Sequence, residues 1–350
     1  MNSKQTKKYK STGKRTLFDE QDTVVKLTEL GNPLERVSQV IDFELFRNKL
    51  EAKMLNHDKR NNAGAKPFDV VMMFKIMILQ RYYNLSDHQI EYQIQDRLSF
   101  KKFLGLESGD KVPDEKTVWA FRERITNAGL VEELFDLFVH YLEQKGLIAN
   151  EGQMIDASFV PAPRQRNTRH ENEKIKKGEG KDLWNDNPHK KSHKDIDARW
   201  AKKGNETYYG YKNSAKTDSK SKLIKKFTVT DAAIHDSNMM ETVFDKSDTN
   251  QPCYGDSAYT GPDQRDVMKR YNMKDMTCEK GSRNNPLTET QKENNREKSK
   301  IRARVEHVFG FMEQSMNGLL VRTIGLRRAT TTIGLINLTY NLFRYEQLIR

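Results

Sequence analysis

The chain has 350 residues, 35% hydrophobic and 31% charged, and its 61 Lys and Arg against 49 Asp and Glu give a net charge of +12. That length allows two domains with a buried core, and the composition excludes a fully disordered chain; the charge points to a polyanionic partner, nucleic acid before an acidic membrane surface. Cys253 and Cys278, with no CxxC, exclude a disulfide framework or zinc ribbon, and the most apolar stretch, VVMMFKIMIL (70–79), carries Lys75 and is too short to span a bilayer.

Residues 1–16 hold six cations and no apolar run, so they read as a flexible basic arm and not as a secretory signal. Residues 17–148 read as a helical domain. Val70, Phe74, Met77 and Ile78 recur at helical spacing, and Ser86 with Gln89 makes a capping box. In VPDEKTVWAFRERI (112–125), Asp114 is the expected N-cap. Two helices parted by FLGLESGDKVP suggest a helix-turn-helix-like unit with Lys116, Arg122 and Arg124 near DNA; the competing reading is a plain bundle with a charged outer face.

The pattern changes near 150. QMIDASFVPAP (153–163) is a strand stopped by prolines. Residues 164–206 are polar and read as a long basic loop or insertion. Strand-like alternation follows in TYYGYKNSAKTD and KLIKKFTVTDAAIHD, then a helix capped by Ser237, a short strand in QPCYGDSAYTG, a helix opening at Pro262, a strand in MKDMTCEKG, a long helix over about 288–316 and an apolar helix over about 327–349. Clustered strands interleaved with helices make residues 150–350 a mixed α/β domain.

Residues 164–226 hold 19 Lys and Arg against 9 Asp and Glu. Tyr208, Tyr209 and Tyr211 interleave with Lys212 and Lys216, so this segment reads as nucleic-acid contact, with a solvated loop as the bland alternative. His189 and His193 are four apart but flanked by lysines, which reads as a basic run and not a zinc site. His235 and Asp236 either line a pocket or cap the next helix. No Walker loop and no GxSxG is present.

Three acids stand out. Asp156 lies inside an otherwise apolar strand, where an uncompensated carboxylate is costly. Asp256 ends PCYGD, where a turn cap is the simpler reading. Glu306 sits at the edge of the stripe Ile301, Val305, Val308, Phe309 and Met312, with Arg302 one turn earlier as its ion-pair partner. Were the three to converge, a divalent cation would relieve their repulsion, and oxygen ligands suit Mg²⁺ or Mn²⁺. A pair of such ions supports phosphodiester chemistry.

MIDASFVPAP, KKGNETYYGYKNSAKTD, KKFTVTDAAIHDSNMMETVF, YGDSAYTG, RARVEHVFGFM and NLFR together resemble the DDE transposases of bacterial insertion sequences, in the insertion-sequence-five group. TLFDEQD, FDVVMMFKIMILQRYYNLSDHQIE and VPDEKTVWAFRERI resemble that group's helical N-terminal domain. The resemblance implies a ribonuclease H-like mixed-sheet catalytic domain after an all-helical DNA-binding domain. It maps the catalytic and metal-binding acids to Asp156, Asp256 and Glu306, holding two Mg²⁺ (or Mn²⁺), and matches Arg302. The family's tyrosine and lysine seven residues to either side of the glutamate are here Ser299 and Glu313, with Lys298, Lys300 and Arg304 nearby. It implies double-stranded DNA as partner, both terminal inverted repeats and target, with at least a homodimer in the active complex, no membrane, and a cytoplasmic, nucleoid-associated place of action. A metal-dependent nuclease without strand transfer and a DNA-binding relative without catalysis stand as alternatives.

Overall fold

A computed structural model describes residues 17–55 and 66–350; the basic arm expected over 1–16 lies outside the described residues. Helices come first: α1 (Asp19–Glu29), α2 (Pro33–Val40), α3 (Arg47–Met54), α4 (Val70–Tyr82), α5 (Asp87–Asp96), α6 (Leu98–Leu104), α7 (Glu115–Ala128) and α8 (Leu130–Gln144). Their starts are set by side chains that take up orphan backbone N–H groups. Asp69 accepts from Val71 and Met72, Ser86 and Gln89 form the expected capping box, and Asp114 accepts from Thr117 at 2.7 Å. Gly129, at φ +62°, ends α7 in the left-handed conformation a side chain would resist. α4 is buried on nearly every face, from Val70 to Gln80, and forms the axis of this part.

The second part contains β1 (Gln153–Pro161), α9 (Arg169–Lys176), α10 (Pro188–Ser192), β2 (Arg199–Lys203), β3 (Glu206–Asp218), β4 (Ile224–Asp231), α11 (Met240–Val243), β5 (Pro252–Tyr254), α12 (Pro262–Arg270), β6 (Lys274–Asp275), α13 (Glu289–Gly310) and α14 (Leu326–Leu348). β3 pairs antiparallel with β1 on one edge and β4 on the other, since Ala215 faces Asp156 on one side and Phe227 on the other. β5 lies parallel to β1, and β6 parallel to β5. The strands therefore run β4-β3-β1-β5-β6, an antiparallel half joined to a parallel half, with β2 on the early part of β3. This is the ribonuclease H-like mixed sheet that the resemblance implied.

Alternation along the strands separates two cores. Met154 and Val160 face the large core shared with the helices, whereas Ile155 joins Met240, Phe244, Cys253, Tyr259 and Val267 on the other face. α14 ties the two parts together. It packs against α4 and α8 on one side and β4 on the other. Phe343 stacks on Tyr82 at 3.6 Å, Asn337 and Asn213 exchange amide hydrogen bonds, and Asn341 bridges the backbone N–H and C=O of Ile224.

Three expectations need correction. Residues 164–206 are not a long loop: they hold α9, α10 and β2. The Trp184 indole donates to Glu171, Lys190 pairs with the same carboxylate, and Lys190 and Lys194 lie over the Trp184 ring. Ser237 caps nothing; its backbone N–H donates to the His235 ring, and it lies within a single turn of 3₁₀ helix that leads into the four-residue α11. The strand expected in MKDMTCEKG shrinks to Lys274–Asp275.

Candidate active site

Asp156 and Asp256 meet through strand register. In the parallel pair, Met154 lies opposite Tyr254. Asp156 comes two residues further along β1 and Asp256 two residues past the end of β5, so the register delivers both acids to the same end of this pair, near enough for the charge of Asp256 to bear on Asp156. Asp256 is also the turn cap that its sequence suggested: its carboxylate accepts from the Ala258 N–H at 2.8 Å. The Ala157 N–H donates to Asp156 in the same way, at 2.8 Å.

Burial pushes the Asp156 carboxyl up to about 6; the Asp256 charge adds to the rise, while the Ala157 N–H, Arg302 and Lys203 pull it down. Near both acids lies Tyr259, a buried phenol whose hydroxyl has no hydrogen-bond partner. Burial holds the Tyr259 phenol well above its usual range, helped by the charges of Asp156, Asp236 and Asp256. Tyr259 was missed in the sequence; its place three residues after Asp256 was the available signal.

α13 crosses this end of the sheet, packing on β1 and β5. It begins with a Thr288–Gln291 capping box and buries Val305, Val308 and Phe309 of the expected stripe. Arg302 reaches from it to both sides, 3.8 Å from Asp156 and 2.8 Å from Glu306. Glu306 itself is more than half exposed, at 56%. The structure thus brings Asp156 and Asp256 together and leaves Glu306 outside, fastened to the arginine.

The oxygen donors and the raised Asp156 fit a divalent cation, because a positive charge beside two crowded carboxylates relieves both burial and repulsion. Glu306 does not complete a cage in this arrangement: among the described residues no three His, Cys, Asp or Glu side chains stand as a metal-holding group. His189 and His193 sit with ring centroids 5.0 Å apart on the short α10 and belong to no such group.

The cations singled out for DNA fare unequally. Arg122 is 6% exposed and forks onto Asp87 at 2.5 and 2.6 Å, so it is a buried ion-pair partner and not a free DNA contact. Tyr209 is buried against Trp200. Lys212 is buried over the Phe159 ring, 2.7 Å from Asp236. These three are corrected, for one reason: each side chain is covered by neighbouring elements, where the sequence showed only polarity. Lys298 is mostly covered and donates to the Thr277 carbonyl. Lys300 is exposed beside Glu297, and Arg304 is exposed while donating to the Ser219 carbonyl. Lys116 and Arg124 are exposed on α7. Ser299 meets Cys278 at 3.5 Å, and Glu313 lies exposed on the π-helical turn Phe311–Ser315 that follows α13.

A family model described as "Transposase DDE domain" matches residues 150–342, and one described as "Transposase domain (DUF772)" matches residues 22–124. Among solved structures, the chain is similar to a piggyBac transposase synaptic complex with hairpin DNA, at 11% identity, over 92% of this chain and 76% of that one, with a TM-score of 0.45. No helix among the described residues is long and apolar enough to cross a membrane.

Proposed function

The chain belongs to the transposase DDE domain family, and on that premise we propose that it hydrolyses a phosphodiester at the ends of a mobile element and joins the freed 3′-hydroxyl to target DNA. The observation that carries the reading is that the parallel pairing of β1 with β5 brings Asp256, just past the end of β5, close enough to Asp156 for the two charges to interact. These two carboxylates would hold Mg²⁺ or Mn²⁺, which when bound activates water and neutralises charge on the scissile phosphate. Arg302 lies against Asp156 and Glu306 and presents a guanidinium suited to the phosphate of incoming DNA. Were it drawn onto that phosphate, Glu306 would lose its partner and become free to act as the third acid. Holding two terminal inverted repeats at once calls for at least a homodimer, and the substrate places the activity on chromosomal DNA, in the nucleoid of a bacterial cytoplasm.

The test is strand cleavage of duplex DNA carrying an element end, in Mg²⁺ or Mn²⁺. Asp156→Ala and Asp256→Ala should each fall to background while DNA binding persists. Wild-type nicking by Asp156→Ala would defeat the assignment. A pre-cut end with a free 3′-hydroxyl, mixed with target plasmid, separates the reactions: joined product marks a transposase, and cleavage without joining marks a nuclease. The outward Glu306 favours a second reading, a DNA-binding relative without catalysis, which any metal-dependent cleavage by the wild type would exclude.

A further inference from the structure

A small cavity lies where α4, α5 and α7 meet the segment entering α14. Its volume is about 250 Å³, and its walls include Arg81, Asp87, Trp119, Arg122, Arg322 and Thr323. That is below the ~300–1,000 Å³ of sites for drug-sized ligands. Three guanidiniums therefore share a space with one carboxylate, and that carboxylate is already committed, since both Asp87 oxygens accept from Arg122. Arg322 donates to the Asn84 side-chain oxygen at 2.7 Å, a neutral acceptor. Arg81 Nε is sealed from solvent with no hydrogen-bond partner, and so is the Thr323 hydroxyl. Burial, together with the charges of Arg122 and Arg322, draws Arg81 down to about 10 despite Asp87.

An arginine buried without an anion is costly, and the cost is removed by any ligand that brings one. Three guanidiniums on the walls of one small cavity, against one carboxylate already held by Arg122, call for a ligand with several acceptor oxygens and negative charge. A phosphate group is both, and a guanidinium fork matches it. Trp119 is half exposed on the same wall, placed to pack against a sugar or a base.

We propose that this cavity binds a phosphate of duplex DNA, with Arg81 and Arg322 on the phosphate and Trp119 against the adjoining nucleotide. The assignment rests on the DNA reading above for its ligand, but uses residues remote in sequence from the Asp156–Asp256 pair. It makes the junction of the two parts, and not the exposed face of α7 alone, the place where the helical part grips DNA.

The experiment is fluorescence anisotropy of a labelled duplex carrying an element end, in EDTA so that no strand is cut, across a range of salt. Arg81→Gln and Arg322→Gln should each weaken binding about tenfold and lower the slope of log affinity against log salt by about one unit. Trp119→Ala should weaken binding with the slope unchanged. Thermal melts check that each variant is folded; if Arg81→Gln is not, Arg322→Gln and Trp119→Ala decide the matter. A parallel melt with inorganic phosphate identifies the other source of the same chemistry. Stabilisation of the wild type by phosphate that Arg81→Gln or Arg322→Gln abolishes, with duplex affinity unmoved, would assign the cavity to a free anion and overturn the proposal. Wild-type duplex binding with unchanged affinity and slope in all three variants would overturn it while leaving the transposase reading intact. A wild type that does not bind the duplex at all would sink both.

Discussion

Asp156 is folded against its own ionisation. Its carboxyl ordinarily titrates near 3.8 and is pushed up to about 6 in the fold. Below pH 4 the acid is neutral folded or unfolded, and no penalty exists. Between those two values the unfolded chain ionises while the fold resists, so stability falls as pH rises; above pH 6 the penalty is full and constant. Asp156→Asn cannot ionise. In metal-free buffer it should melt higher than the wild type above pH 6, by a margin on the order of 2–3 kcal/mol, and the same as the wild type below pH 4. Mn²⁺ should then raise the wild-type melting temperature and leave that of Asp156→Asn almost unmoved, because a ligand stabilises only the fold that binds it. An equal Mn²⁺ response in both proteins would show that the ion binds elsewhere. Asp156 was legible in the sequence because an acid in an apolar strand needs a reason. Arg302 beside Glu306 was legible from helical spacing. The salt link from Arg302 across to Asp156 was not, since it depends on how α13 crosses the sheet.

Among the elements, β3 and β4 carry a buried charge cluster that local pattern concealed. Lys216 is 1% exposed and lies 2.6 Å from Asp248, which is wholly buried, and 3.3 Å from Asp245; Lys225 approaches Asp248 at 3.4 Å. The cluster pins the connection between α11 and β5, and so holds the strand that delivers Asp256. Lys216→Met leaves Asp248 with a single, longer ion pair. It should lower unfolding stability by about 3 kcal/mol, as measured by urea denaturation. A loss below 1 kcal/mol would mean that Lys225 alone suffices. In the sequence, Lys216 counted as one more cation in a basic run, because charge says nothing of which face a strand residue takes. The capping boxes at Ser86 and Thr288 depend on neighbours three residues away, and Ser86 could be read directly. α9 and α10 could not: they are short, polar, and held by Trp184 and Glu171 instead of an apolar stripe.

For the molecule as a whole, the decisive contact is α14 between helices and sheet. At Gly334 a methyl group would stand 2.8 Å from Val131 and 2.9 Å from Phe227, so the helix approaches α8 and β4 as closely as backbone permits. Gly334→Val should destabilise by about 1–3 kcal/mol through overpacking. Trp119 reports on the helical part, and Trp184 and Trp200 on the part around the sheet. Single-tryptophan versions should melt in one coincident transition, and Gly334→Val should lower both reports together; two separate transitions would show that the parts fold independently.

The same helix sets a constraint in time. The ribosome makes α14 after α4, α8 and β4, the elements it packs between, so until residues 326–348 emerge those surfaces have no cover. A nascent chain of this kind gains its working shape late, through contacts of large sequence separation such as Tyr82 with Phe343. Anything that halts translation short of that segment would release a product with exposed apolar faces, a substrate for chaperones and proteases before it is a rival for DNA.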